Sequence, residues 1–183
     1  MAGNHDDVEL LKKYFFEPPF LSDTTINHSH WQIQLIASKS DTPSGFVSEQ
    51  ALKNLQQAID INKRQLVMMH HHPIDVGYFI DNHGLENKLD FWQAIEKHDN
   101  INAIACGHVH RAMTLEKAST QQLAEGKKSV TVYTCPATSI QFDPDVDGVA
   151  ALAKGPGYRL FHLYSNGQLH SDIFYLEIRV FMD

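Results

Sequence analysis

The chain has 183 residues, 43% hydrophobic and 20% charged, a composition that fits one globular domain and excludes the disordered and fibrous classes. A formal net charge of −7 argues against a nucleic-acid surface, which needs clustered Lys and Arg. No stretch reaches the roughly 18 apolar residues of a membrane span, and Met1-Ala2-Gly3-Asn4-His5-Asp6 has neither a basic nor an apolar signal region. Cys106 and Cys135 are too few for a disulfide framework, so a reducing, cytoplasmic setting is expected.

In chain order, Val8, Leu10, Leu11 and Tyr14 recur at helical spacing behind Asp6 and Asp7, which predicts a first helix ending before Pro18-Pro19. Trp31, Ile33 and Leu35 alternate with Gln32 and Gln34, the period of a half-buried strand. Ser48 and Glu49 open a second helix that carries Ala51, Leu52, Leu55, Ala58 and Ile59. Gln65 to Met69 is a short buried run that stops at His70-His71-His72-Pro73. Leu85 to Lys97 predicts a third helix with Leu89, Trp92 and Ile95 to bury. Ile101 to Cys106 is a second buried run, and it stops at Gly107-His108-Val109-His110. Arg111 to Lys117, Ser129 to Thr134, Tyr158 to Tyr164 and Leu169 to Ile178 read as antiparallel strands, the last two joined at Ser165-Asn166-Gly167. The pattern is a mixed α/β layer arrangement in one domain over 1–183, and ligands in such sheets gather at the carboxyl ends of strands.

Histidine is the compositional outlier, with 12 copies, and the copies cluster. A single His-x-His after a strand is more often an edge-strand pair than a ligand pair. Three clusters, Gly3-Asn4-His5-Asp6, His70-His71-His72-Pro73 and Gly107-His108-Val109-His110, two of them at predicted strand ends, point to metal. Neutral imidazole is the commonest transition-metal ligand, and in Gly107-His108-Val109-His110 the two rings could reach neighbouring positions. In the triple-His run one ring is expected to face an ion, and His70 is the candidate.

These clusters, in this order, resemble the last three motif blocks of the calcineurin-like metallophosphoesterases. Gly45-Phe46-Val47-Ser48-Glu49-Gln50-Ala51-Leu52, Asp81-Asn82-His83-Gly84-Leu85 and Cys135-Pro136-Ala137-Thr138-Ser139-Ile140-Gln141-Phe142 are similar to segments of the bacterial cyclic-AMP phosphodiesterases. The resemblance implies the C-terminal part of a four-layer α/β/β/α sandwich with mixed sheets, and phosphodiester hydrolysis at two metal ions (iron, manganese or zinc). It implies that Asn4, His70 and His108 ligate one metal and His110 the other, and that His5 is the general acid. Asp6 either orients His5 or serves the helix N-terminus. Asn4, His5 and His83 are the candidate substrate contacts, and the substrate is a small cyclic nucleotide.

The family pattern also has an earlier Asp-x-His and a Gly-Asp block, and neither is found in place here. Asp81-Asn82-His83 follows the triple-His block and reads as a decoy for the first. The expectation is therefore an N-terminally truncated domain with partial metal loading, self-associating to cover a bared sheet edge and apolar face. The alternative is a catalytically incomplete remnant that binds metal weakly or associates with a partner. A third reading is an α/β protein with incidental histidines. Asp143-Pro144-Asp145-Val146-Asp147-Gly148 imitates the start of a calcium loop, but the position of its glutamate is Lys154, so a solvated loop is expected.

Overall fold

The structure is a computed structural model that describes residues 1–20, 23–118 and 129–177. Its main sheet has six strands in the order β1-β2-β3-β4-β6-β5. These are β1 (Thr25–Asn27), β2 (Trp31–Leu35), β3 (Arg64–Met69), β4 (Ile101–Cys106), β5 (Met113–Ala118) and β6 (Ser129–Thr134). The neighbours β2, β3, β4 and β6 run parallel, and β1 and β5 close the edges antiparallel. A separate hairpin pairs β7 (Gly157–Leu163) with β8 (Leu169–Tyr175).

Parallel strands are joined by crossovers: α2 (Glu49–Ala58) lies between β2 and β3, and α3 (Lys88–Ile95) between β3 and β4. Ser48 caps α2 by accepting from the amide of Ala51. Leu52 and Leu55 of α2 and Phe91, Trp92 and Ile95 of α3 bury against Val67, Met69, Ile104, Cys106 and Val132. An extra residue in β4 lets this happen. Gln65 pairs with Ile101 but Leu66 with Ala103, so the parity flips at Asn102 and Ile101 joins Ile104 on the helix side. The opposite face presents Trp31, Leu66, Ala103 and Ala105 to Phe161, Leu163 and Leu169 of the hairpin. Trp31 Nε1 donates to Tyr164 O at 2.8 Å, and Arg159 donates to Thr134 O at 3.2 Å and Met113 O at 3.0 Å. The described residues thus build three layers, helices on sheet on hairpin, in a mixed α/β arrangement. The outer helical layer of the expected sandwich is not among them.

Several expectations change in detail. Gln32 and Gln34 were expected to face solvent, yet both are buried. Gln32 donates to Ala58 O and accepts from the amide of Asp60, and Gln34 accepts from Thr25 Oγ1 and donates to Gln65 Oε1, so their amides are satisfied inside the fold. The third helix starts late because the side chain of Asn87 is engaged elsewhere, accepting from the amide of Val47 and donating to its carbonyl. Leu89 was expected to bury and is 79% exposed. The first helix, α1 (Val8–Tyr14), forms as predicted but buries none of its residues. β1 and a short 3-10 turn over Phe79–His83 were not anticipated, being too short to show a period. Ile178, the predicted end of the last strand, lies outside the described residues. The acidic loop after Phe142 is solvated as expected, with Val146 and Asp147 exposed. Among the described residues no helix is long and apolar enough to cross a membrane.

Candidate metal centre

The carboxyl ends of β3 and β4 lie side by side, with Met69 paired to Cys106, so the residues that follow them meet. His70 leaves β3 directly. Gly107 lets the chain turn after β4, and His108 and His110 then adopt left-handed backbone at φ 63° and 53°, a conformation that non-glycine residues hold only when their surroundings fix it. The N-terminal turn supplies the third component. Asp6 accepts from the amide of Gly3 at 2.7 Å, and the turn sets Asn4 between the two histidines.

His70 Nε2 lies 2.9 Å from Asn4 Oδ1, His108 Nδ1 lies 3.2 Å from the same oxygen, and the two ring nitrogens are 3.3 Å apart. Donors bound to one first-row cation at about 2.0–2.2 Å, with angles near 90–110°, lie about 2.8–3.6 Å from one another. The triangle has that size. His108 Nε2 is buried without a partner. Burial, reinforced by His71, His70 and the other rings, lowers the pKa of His108 to about 2; burial likewise lowers His70 to about 4. Both rings are therefore neutral at pH 7 and carry lone pairs that a cation can accept. The donor set fits a metal ion.

His71 is near enough to count with His70 and His108 as a possible metal group, yet both its nitrogens are occupied. Nδ1 is 2.9 Å from Ser38 Oγ and Nε2 is 3.2 Å from Pro43 O. His72 is held by Asp81, whose Oδ1 is 3.1 Å from Nε2. Within the triple-His run, His71 has both nitrogens occupied, His72 keeps a buried Nδ1 without a partner, and His70 is the ring whose nitrogen faces Asn4 and His108. Room for these rings comes from glycines. A Cβ on Gly3 would come within 2.6 Å of the His70 ring, and one on Gly45 within 2.4 Å of His71.

The other candidates stand apart from this triangle. His110 stacks on Phe142 and places Nδ1 2.9 Å from Ile140 O. His5 is exposed on the turn beside Asn4. Asp6 closes that turn, while Asp7 is the residue that caps α1, accepting from the amides of Glu9 and Leu10. His83 ends the 3-10 turn and is half-buried, with no described hydrogen bond to the triangle. Sequence reading missed Ser38 and the structural role of Asp81, which accepts from the amides of Val76 and Gly77 as well as facing His72. It also missed Lys39, whose ammonium donates to Asn4 O at 3.2 Å. The sequence signals for Asp81 were its place in a motif read as a decoy and in the segment Asp81-Asn82-His83-Gly84-Leu85 that carries the family resemblance.

A protein of Colwellia psychrerythraea named "Probable cyclic nucleotide phosphodiesterase" is 65% identical over 173 residues, covering 94% of this chain and 65% of that protein. The chain is thus similar, over nearly all of its own length, to a protein named as a cyclic nucleotide phosphodiesterase. A Vibrio vulnificus 3',5'-cyclic adenosine monophosphate phosphodiesterase, CpdA, is 30% identical over 178 residues, covering 94% of the chain and 61% of its own length. The chain therefore spans less than two thirds of these curated relatives. A solved dimetal phosphatase from Danio rerio aligns at 15% identity with a TM-score of 0.43, over 73% of this chain and 39% of its own. No family model matches the chain.

Proposed function

We propose that the protein hydrolyses a cyclic nucleotide, cyclic AMP in the first instance, in a form that completes the metal centre. The observation that carries this reading is the convergence of Asn4 Oδ1, His70 Nε2 and His108 Nδ1 at the ends of two adjacent parallel strands. Asn4, His70 and His108 would hold one ion and His110 a second, with iron, manganese or zinc suiting nitrogen and amide-oxygen donors. Bound ions would supply Lewis acidity at the phosphoryl oxygens. The chain's own residues do the rest. The turn at Gly3–Asp6 presents His5 next to the Asn4 donor, where its exposed ring would serve as general acid, giving a proton to the ester oxygen as water attacks phosphorus and the P–O bond breaks. Asn4 and His83 are assigned to contact the substrate, and Asp6 to hold the turn that carries His5.

A second reading is a metal-binding chain without turnover by itself. Its support is that the possible metal group contains histidines and no carboxylate among the described residues. Self-association is proposed in either case. Its support is the exposure of Tyr158, Leu160 and Phe174 on the hairpin face turned away from the main sheet, and sedimentation as a monomer would overturn it. Two free cysteines support a reducing, cytoplasmic location.

The deciding experiment equilibrates the chain with manganese or zinc, counts bound metal, and assays cyclic AMP and a generic aryl phosphodiester. Metal retained by the wild type and lost in His108→Ala, with turnover lost in His5→Ala, supports the hydrolase. Metal without turnover supports the second reading, and no metal sinks both.

A further inference from the structure

His110 is the one candidate ligand outside the donor triangle, and the segment 140–142 holds it in an unusually complete way. His110 Nδ1 is 2.9 Å from Ile140 O. Because a carbonyl can only accept, Nδ1 carries the hydrogen. The amide of Phe142 donates back to His110 O at 3.3 Å. The Phe142 ring lies against the imidazole with centroids 4.1 Å apart and planes 8° from parallel. Phe79 packs against Phe142 with ring centroids 5.2 Å apart.

The holder itself is anchored. Gln141, 1% exposed, donates to Ala137 O at 2.7 Å and Gly155 O at 3.2 Å, accepts from the amide of Ala137 at 3.1 Å, and its carbonyl accepts from Leu152 at 2.9 Å. A buried amide with its donors and acceptors satisfied fixes the backbone around it. On the other side of His110, Tyr78 donates its hydroxyl to Val109 O. The left-handed backbone of His110 is thus gripped from both flanks.

We infer that Phe142, on the segment anchored by Gln141, is a positioning residue that fixes the ring plane of His110 and so keeps Nδ1 on Ile140 O, the acceptor that sets the tautomer, leaving Nε2 as its single donor atom for a divalent transition-metal cation. A ring nitrogen hydrogen-bonded to a carbonyl makes the other nitrogen the ligand and raises its basicity. The metal-binding half of this inference rests on the proposed function. The positioning half does not.

Long-range proton–nitrogen NMR of the imidazoles, with zinc as the probe, tests both. The wild type is expected to show His110 as one tautomer with hydrogen on Nδ1, and zinc is expected to shift its Nε2 alone. Phe142→Leu keeps an apolar filler but removes the flat face, and is expected to mix the tautomers and weaken the zinc response at His110 about 10-fold or more. Phe142→Tyr should restore both. Hydrogen on Nε2 in the wild type, zinc leaving Nε2 unshifted, or a Phe142→Leu variant with wild-type tautomer and zinc response would each overturn the inference. Should Phe142→Leu fail to fold, the wild-type tautomer and Phe142→Tyr still decide it. Loss of cyclic-nucleotide turnover with these signatures intact would count against the proposed function alone.

Discussion

Gly45→Ala tests the packing behind the metal centre. A Cβ at Gly45 would stand 2.4 Å from His71 Cγ, 2.5 Å from its Cβ and 2.6 Å from Nδ1. These atoms are the root of the ring, which is wholly buried and tied through both nitrogens to Ser38 Oγ and Pro43 O. Nor can Gly45 back away freely, because its amide donates to Gly84 O at 3.0 Å and its carbonyl accepts from Glu86 at 2.8 Å. Overpacking of about 1–3 kcal/mol adds to about 1–3 kcal/mol for a buried imidazole losing a partner. The sum centres near 4 kcal/mol, or a fall in Tm of roughly 8–16 °C for a chain of this size. Urea and thermal unfolding of the metal-free protein measure it. In a His71→Ala background the ring contacts and the hydrogen-bond loss drop out but the Cβ at 2.5 Å remains, so the same substitution should cost clearly less than in the wild type without becoming neutral. A Gly45→Ala protein within about 0.5 kcal/mol of wild type would refute the close approach.

Three further outcomes are expected. Asp81→Ala removes the acceptor shared by the amides of Val76 and Gly77 and by His72 Nε2, and should lower stability by about 2–4 kcal/mol in urea titrations; a loss below about 1 kcal/mol would contradict that role. Acid should unfold the metal-free chain early. Burial lowers His70 and His71 from 6.5 to about 4, so the unfolded state takes up protons first. Their contribution is whole above pH 6.5 and is lost as the pH falls through about 4, with a slope of about 1.4 kcal/mol per pH unit for each histidine. Urea midpoints that stay flat between pH 7 and 5 would be inconsistent with neutral buried rings. Zinc at about 100 times its Kd should stabilise the wild type by about 2.7 kcal/mol. Asn4→Ala should remove most of that gain, and an unchanged thermal shift would exclude Asn4 as a donor.

The element order was legible in the sequence because it rests on local periods. The run Gln65–Met69 and the whole of Ile101–Cys106 are apolar enough to be buried on both faces, and each stops at a histidine cluster, which places the candidate site at strand ends. Helix caps and the hairpin turn at Ser165-Asn166-Gly167 were local in the same sense; Gly167 has φ 84° as such a turn requires. The burial of Gln32 and Gln34 was not legible, because their partners Asp60, Ala58, Thr25 and Gln65 come from other elements. The apolar spacing of α1 gave a helix but not a buried one, since burial depends on what lies opposite.

The sequence by itself determined the residue types and strand ends that put Asn4, His70 and His108 in reach of one another. Tertiary structure alone decided which histidine nitrogens are open. His71 is closed by Ser38 and Pro43, His72 is held by Asp81 at Nε2 with Nδ1 left unpartnered, and His110 places Nδ1 on Ile140 O and its face on Phe142. A ring's available lone pair depends on hydrogen bonds and stacking from distant segments, and no local pattern in the chain encodes those partners.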